Sequence, residues 1–396
     1  MLKYLPSISA LLIGYAILIT GNGLFGTLVS LLILHGGFSS FVVGIVQSAY
    51  YLGFLIGTMV ASNMIARIGH HRAFSVFAAI ATCAALSHPL YEQPFIWISL
   101  RLAAGFCMAG IYTAMESWLN AAAPNEYRGQ IFSLYLITNY LGTGGGQLLL
   151  KAGDPYGFEL FSIVGILFAI SLVPVTLTGT QIAVTADSKE RARAGVVLST
   201  LIKLYRTSPL GVWGCITSGL FHSAFNSLAP VFMTGIGYSI EGISRFMGLA
   251  FIAGLVLQWP SGRLSDRYNR RYISLGICVI VSLLSIVITF MNKGIALELI
   301  VFLYVSVAFT LYGVIISDVN DSIAAEHRIA ISAALLLFFS VGGILGPTVA
   351  SIAMEAWGPK GLFIFTTIIA SALAFFLAYS IYKKKNSGDR EMPAAI

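Results

Sequence analysis

Charge is what this chain has least of. Asp, Glu, Lys and Arg together make up 10% of its 396 residues, where a soluble domain carries about 25%. So few charges cannot cover a water-facing surface of that size, which argues against a soluble globular fold. Cysteine is scarce too. Cys83, Cys107, Cys215 and Cys278 each lie inside an apolar stretch, and none belongs to a CxxC. That leaves neither a disulfide framework nor a zinc site, and the four read as small buried hydrophobes. No Ser-His-Asp or His-Glu cluster stands out, so a membrane enzyme would lack a catalytic set. His70-His71 has no spaced partner with which to hold a metal. Gly21-Asn22-Gly23-Leu24-Phe25-Gly26 spells GxGxxG, but it lies within an apolar run and follows no strand, so a dinucleotide site is set aside. No cofactor and no metal ion are expected.

Apolar sequence takes the place of charge. Hydrophobic residues make up 57% of the chain, and the mean hydropathy is +0.87. The apolar residues gather in twelve runs: 8–34, 39–65, 73–90, 95–122, 130–150, 158–178, 209–235, 244–261, 272–291, 295–318, 331–354 and 361–382. Runs of this length suit a bilayer. They break at turn chemistry such as His35-Gly36-Gly37, Asp154-Pro155, Gly235-Ile236-Gly237 and Asn292-Lys293-Gly294. Helices satisfy backbone groups in hydrocarbon without open edges, so the expected fold is all-α and integral to a membrane, with twelve transmembrane helices. The first run is too long for the apolar region of a cleaved signal and reads as the first span.

The net charge of +7 does not point to nucleic acid, because the basic residues sit in loops between apolar runs. With both termini on the inner side, 18 Lys and Arg lie inside and 4 outside, and Arg101 alone remains within a run. That asymmetry orients the chain with cytoplasmic termini.

A repeat is visible at an offset of 200. Arg67 matches Arg267, Tyr112 matches Tyr312, Ser117 matches Ser317, and Asn120 matches Asn320. Glu126 and Arg128 match Glu326 and Arg328, and Gly142 and Gly146 match Gly342 and Gly346. The expected organisation is an N-terminal six-helix bundle over 1–178, a cytoplasmic linker over 179–208, a pseudo-symmetric C-terminal bundle over 209–382 and a tail over 383–396. Duplicated halves with a site between them are a recurring plan in secondary transporters. No GxxxxGK[ST] loop is present to make ATP the direct energy source.

Three motifs carry a family resemblance. Gly262-Arg263-Leu264-Ser265-Asp266-Arg267-Tyr268-Asn269-Arg270-Arg271 resembles the loop signature of the major facilitator superfamily, roughly G-x-L-[AS]-D-[RK]-x-x-[RK]-[RK]. Arg101 to Gly105 resembles its R-x-x-x-G element, and Gly342, Gly346 and Pro347 resemble its glycine-proline element. Gln258-Trp259-Pro260-Ser261-Gly262 and Glu116-Ser117 are similar to the bacterial YcaD-type branch. That branch implies a transporter of the bacterial inner membrane and supplies no substrate. There are departures. The first copy of the loop, Ser62 to His71, has Ala66 where the family has aspartate and Ser62 where it has glycine. Gly142 to Gln147 lacks the proline of the proton-exporting drug antiporters.

Arg101 is the leading site candidate, about 9 Å in from the outer end of its run. An intramembrane arginine needs water, a carboxylate or carbonyls, and so faces a cavity, where it handles substrate or proton-linked charge. The alternatives are a snorkelling side chain or an inter-helix hydrogen bond. Glu116 lies roughly 22 Å further along, and Arg101, Met108, Tyr112 and Glu116 share a face about 60° wide. A carboxylate at that depth is a natural proton carrier, because leaving water penalises its charged form; a structural hydrogen bond is the alternative. Asp318 is the second choice for coupling. Asp318 and Asp321 are otherwise helix-end charges that pair with Arg128, Arg328 or Arg267 to close an inner gate.

The resemblance implies that helices 1, 4, 7 and 10 line the cavity. That makes Asn22, His222, Asn226, Tyr304 and Tyr312 substrate contacts alongside Arg101 and Tyr112, or else inter-helix hydrogen bonds. Gln47, Asn139, Gln147 and Gln258 are weaker candidates. Asp266, Arg267, Arg270 and Arg271 read as a gating latch on the inner face. The function expected is proton-coupled transport of a small organic solute by alternating access, by a monomer whose partners are substrate, protons and the lipid bilayer. Proton-driven export of drugs or amphipathic metabolites is the alternative, ahead of a passive channel, a membrane sensor or an enzyme.

Overall fold

The computed structural model describes residues 5–123, 126–177, 204–321, 323 and 328–386. Most of the expected linker 179–208 and the tail beyond 386 lie outside the described residues, as do the side chain of Arg328 and Glu326. Among the described residues the structure is helical, with no strand.

Twelve helical segments appear in chain order: α1 (Leu5–His35), α2 (Ser40–Ile68), α3 (His70–Ser87), α4 (Pro94–Ala122), α5 (Arg128–Leu148), α6 (Phe158–Ile170, then Leu172–Leu177), α7 (Pro209–Gly235), α8 (Ile240–Val256, then Gln258–Arg267), α9 (Arg270–Phe290), α10 (Ile295–Ala308, then Leu311–Asp321), α11 (Arg328–Trp357) and α12 (Gly361–Asn386). Ten of them are long and apolar enough to cross a membrane by length and composition alone. The other two, α5 and α7, are long as well, but Asn139, Gln147, His222 and Asn226 dilute their apolar character. Large apolar side chains face outward, including Phe95 at 78% and Phe290 at 82% exposure. Such a surface suits hydrocarbon and not water.

Two of the three broken helices have a chemical cause. Pro174 and Pro260 follow the breaks in α6 and α8 by three residues each. A proline offers no N–H to the carbonyl four residues back and crowds it. The break in α10 at Phe309–Thr310 has no proline and returns below.

The 200-residue offset governs the backbone. Helices end at 35 and 235, begin at 40 and 240, begin at 70 and 270, and begin at 128 and 328. Gly37 and Gly237 both close their helices in the left-handed region, at φ of 77° and 82°. Phe38 and Tyr238 then donate back to the carbonyls of Ile33 and Met233. Only glycine enters that conformation cheaply, and the paired bonds are a helix C-cap. Packing repeats too. A Cβ on Gly146 would run into the Thr20 carbonyl, and one on Gly346 would meet Ser223 Oγ and the Leu220 carbonyl.

Two compact units emerge: Met1–Asp187 with Asn226–Ile252, and Ser188–Phe225 with Ala253–Ile396. In the first, α2 and α4 cross backbone to backbone, Gly53 against the Leu102 carbonyl and Gly105 against that of Tyr50.

Candidate solute site and inner latch

Arg101 projects from α4 into an aromatic box and is 3% exposed. Its guanidinium carbon lies 4.4 Å from the ring centre of Tyr50 and 5.2 Å from that of Phe25. Nη2 donates to Gln47 Oε1 at 2.7 Å. Nε and Nη1 are buried and without a partner, and no carboxylate lies within ion-pair distance among the described residues. One charged hydrogen bond contributes about 1.5–3 kcal/mol and each ring about 0.5–2. Sequestering an ion costs several kcal/mol, a sum of the same size, and the two unpartnered nitrogens add their own cost.

Gln47 passes the connection on. Its Nε2 donates to Ser30 Oγ at 2.7 Å and to the Gly26 carbonyl at 2.9 Å. Ser30 Oγ donates to the Ser227 carbonyl at 2.8 Å. Beside this chain, Asn22 hydrogen bonds with the Tyr50 hydroxyl, and Asn226 and Ser227 with that of Tyr51. Asn226 Oδ1 is buried and has no donor. Arg101, Asn22 and Asn226 therefore meet around the Tyr50–Tyr51 pair. His88 is fully buried nearby, with Nδ1 on the Ala84 carbonyl at 2.6 Å and Nε2 unpartnered.

Further along α4, Glu116 is exposed, yet Tyr135 donates to its Oε1 at 3.1 Å. Tyr135 stacks at 4.7 Å on Tyr15, whose hydroxyl also bonds to it. Asn139 donates to the hydroxyls of Tyr15 and, at 3.4 Å, Tyr112. Glu116 and Tyr112 thus belong to one network of tyrosines and an asparagine. Sequence reasoning gave Gln47 and Asn139 little weight and missed Tyr15, Tyr50, Tyr51, His88 and Tyr135. The Tyr50-Tyr51 doublet inside an apolar run was the available signal.

In the second unit, His222 stacks on Phe309 at 3.7 Å and hydrogen bonds to its backbone. Gln258 Nε2 donates to the Phe309 carbonyl at 3.2 Å. The break in α10 is thereby served by two side chains, the usual condition for irregular backbone at membrane depth. Tyr312 packs on Phe339 at 4.7 Å. Tyr304 is 1% exposed between Phe225 and Phe363, with its hydroxyl on Thr366, and is a packing residue here.

The loop between α8 and α9 forms ion pairs through Arg270 and Arg271; of the expected partners, the side chain of Arg328 lies outside the described residues. Asp321 pairs with Arg270 Nε at 2.8 Å and Asp318 with Arg271 Nε at 3.6 Å. Arg270 also reaches Asp266 at 3.3 Å. Arg267, at the end of α8, is exposed. Asn269 explains the selection. It caps α9 by accepting from the Arg271 N–H at 3.0 Å, which puts Arg270 and Arg271 in the first turn. A cavity of about 360 Å³ adjoins the Arg271–Asp318 pair and is also lined by Ser208, Tyr379 and Lys383. In the first unit Arg67 and Arg128 are exposed, and the corresponding contact is aromatic, His71 against Trp118 at 4.2 Å.

Comparison with known proteins agrees with this architecture. The family model of the Major Facilitator Superfamily matches residues 11–334. A Yersinia pestis protein named uncharacterized MFS-type transporter is 30% identical over 373 residues, covering 93% of this chain and 94% of its own. The uncharacterized MFS-type transporter YcaD of Salmonella newport is 29% identical over the full length of both. Among solved structures, the nucleoside transporter NupG superposes with a TM-score of 0.80 at 13% identity, covering 94% of this chain and 98% of its own. A D-xylose-proton symporter does so at 0.70 and 14%, covering 94% and 95%. Those two likenesses are of fold. Helical spans, duplicated halves, loop signature and family match together identify a transporter and not an enzyme: the chain belongs to the Major Facilitator Superfamily.

Proposed function

We propose that this transporter is a secondary active carrier that moves a small organic solute across the bacterial inner membrane by alternating access, coupled to protons. Arg101 carries the proposal. A guanidinium 3% exposed in an apolar helix, with two nitrogens unpartnered, is costly to keep, and binding a polar solute gives that cost a use. Asn22, Asn226 and Tyr112 complete the contacts in the first unit; His222 and Tyr312 are assigned the same role in the second. Tyr304 is left out because its hydroxyl is committed to Thr366.

Glu116 is the proton carrier in this reading, and Asp318 is the second choice. Tyr135 holds Glu116 and links it to the interior hydroxyls. Neutralising the carboxylate removes the penalty for taking a charge out of water and permits closure. Residues 1–178 and 209–382 act as the two halves, joined by 179–208, with both termini in the cytoplasm and one chain as the working unit. Asp266, Arg270, Arg271 and Asp321 form the inner latch, with Arg128, Arg267 and Arg328 as further charges at that face.

Flux into proteoliposomes, with and without an imposed pH gradient, tests the proposal. Solute uptake that follows the gradient supports it. Gradient-independent flux through an open pore would remove the carrier and leave a channel.

A further inference from the structure

Two buried groups of opposite hydrogen-bonding sense face the same pair of tyrosines. Arg101 lies over the Tyr50 ring and has Nε and Nη1 unpartnered. Asn226 reaches the Tyr51 hydroxyl and has Oδ1 unpartnered. The first group offers charged donors and the second an acceptor. Gln47 uses one of the two Nη2 hydrogens of Arg101. Both bidentate edges of a guanidinium combine Nη2 with either Nε or Nη1. A carboxylate can therefore take the remaining Nη2 hydrogen together with one orphaned nitrogen, the strong two-point geometry that arginine and carboxylate share.

We propose that the solute is a small organic acid whose carboxylate pairs with Arg101 and whose neighbouring hydroxyl or ammonium donates to Asn226, that is, a 2-hydroxy or 2-amino acid. This deepens the carrier reading and rests on Arg101 being a solute contact. A neutral solute leaves the guanidinium uncompensated. A plain fatty acid leaves Asn226 Oδ1 without a donor. Both nitrogens of Arg101 are covered in this structure, so the acid enters in another conformation of the same carrier.

The test is thermal stabilisation of the purified full chain by 2-hydroxy and 2-amino acids of two to six carbons. Each is compared with its neutral amide and with the acid lacking the donor, as lactate is with lactamide and propionate. The expected order is lactate-type acid, then propionate-type acid, then amide, with the amide at least tenfold weaker than the acid. Arg101→Gln removes the stabilisation while the apo protein still melts cooperatively and no earlier than wild type, because an underpaired buried charge has gone. Arg101→Lys keeps the charge without the fork and binds about tenfold more weakly. Asn226→Ala erases the preference for lactate over propionate and keeps that over lactamide.

Equal effects of acid and amide, stabilisation by inorganic phosphate alone, no response to any acid, or stabilisation that survives Arg101→Gln would each overturn the assignment. Flux separates the two levels. Gradient-driven transport of a neutral solute retains the carrier and discards the acid. No flux of any solute under any ion gradient discards the carrier.

Discussion

The ring of His71 lies 4.2 Å from that of Trp118. Two hundred residues later the same two positions are Arg271 and Asp318, with Nε 3.6 Å from Oδ2. One contact, between the start of the third helix of a half and the C-terminal part of the fourth, is built from rings in the first unit and from charges in the second. The charged version is partly exposed, at 37% and 26% of the two side chains, so solvent screens it and its static worth is about 0–1 kcal/mol. The aromatic version includes Trp118, 1% exposed.

That difference predicts unequal sensitivity. Trp118→Ala costs about 3–5 kcal/mol by opening a large void. Asp318→Asn costs under about 1 kcal/mol. Thermal unfolding in detergent at low and high salt separates them, because only the Asp318 contribution shrinks as ionic strength rises. A large, salt-insensitive loss in Asp318→Asn would show that the pair is buried during unfolding in a way its exposure denies.

Glu116→Gln is expected to abolish gradient-driven uptake or efflux while sparing solute exchange, and to flatten the pH dependence of transport. Tyr135→Phe removes the one hydroxyl held on Glu116 and gives a smaller change of the same kind. Equal loss of exchange and driven transport in Glu116→Gln would make the residue structural.

Helix crossings give a third contrast. Gly105→Ala drives a methyl into the Tyr50 carbonyl, while Gly276→Ala in α9 meets nothing within 4 Å. The first lowers stability by several kcal/mol, because α2 and α4 must separate. The second raises it by about 0.5–1 kcal/mol through helix propensity. Yield of folded protein and midpoint of thermal unfolding distinguish them.

The fold was readable because the duplication is linear in sequence. Arg128 and Arg328 begin matching helices, and the glycine-closed ends at Gly37 and Gly237 needed only local chemistry. Arg101 was readable because a charge inside an apolar run is rare. Its partners were not. Gln47, Tyr50 and Phe25 come from other helices, and their rotation depends on crossings such as Gly53 with Gly105. The acids of α10 were readable as ion-pair partners, but the choice of Arg270 and Arg271 over Arg267 turned on a single cap at Asn269. The break in α10 carries no proline and left no mark in the sequence.

Between the guanidinium of Arg101 and the carbonyl of Ser227 stand only Gln47 and Ser30, each in hydrogen-bond contact with the next. In the proposed complex a solute on the arginine would be linked to the α7 backbone at Ser227 through this chain, besides its own contact with Asn226, as a bell is rung by its rope. Ser30→Ala cuts that rope. Apparent affinity should then shift although every group that greets the solute is intact, and the shift would be invisible to anyone searching only the walls of the site.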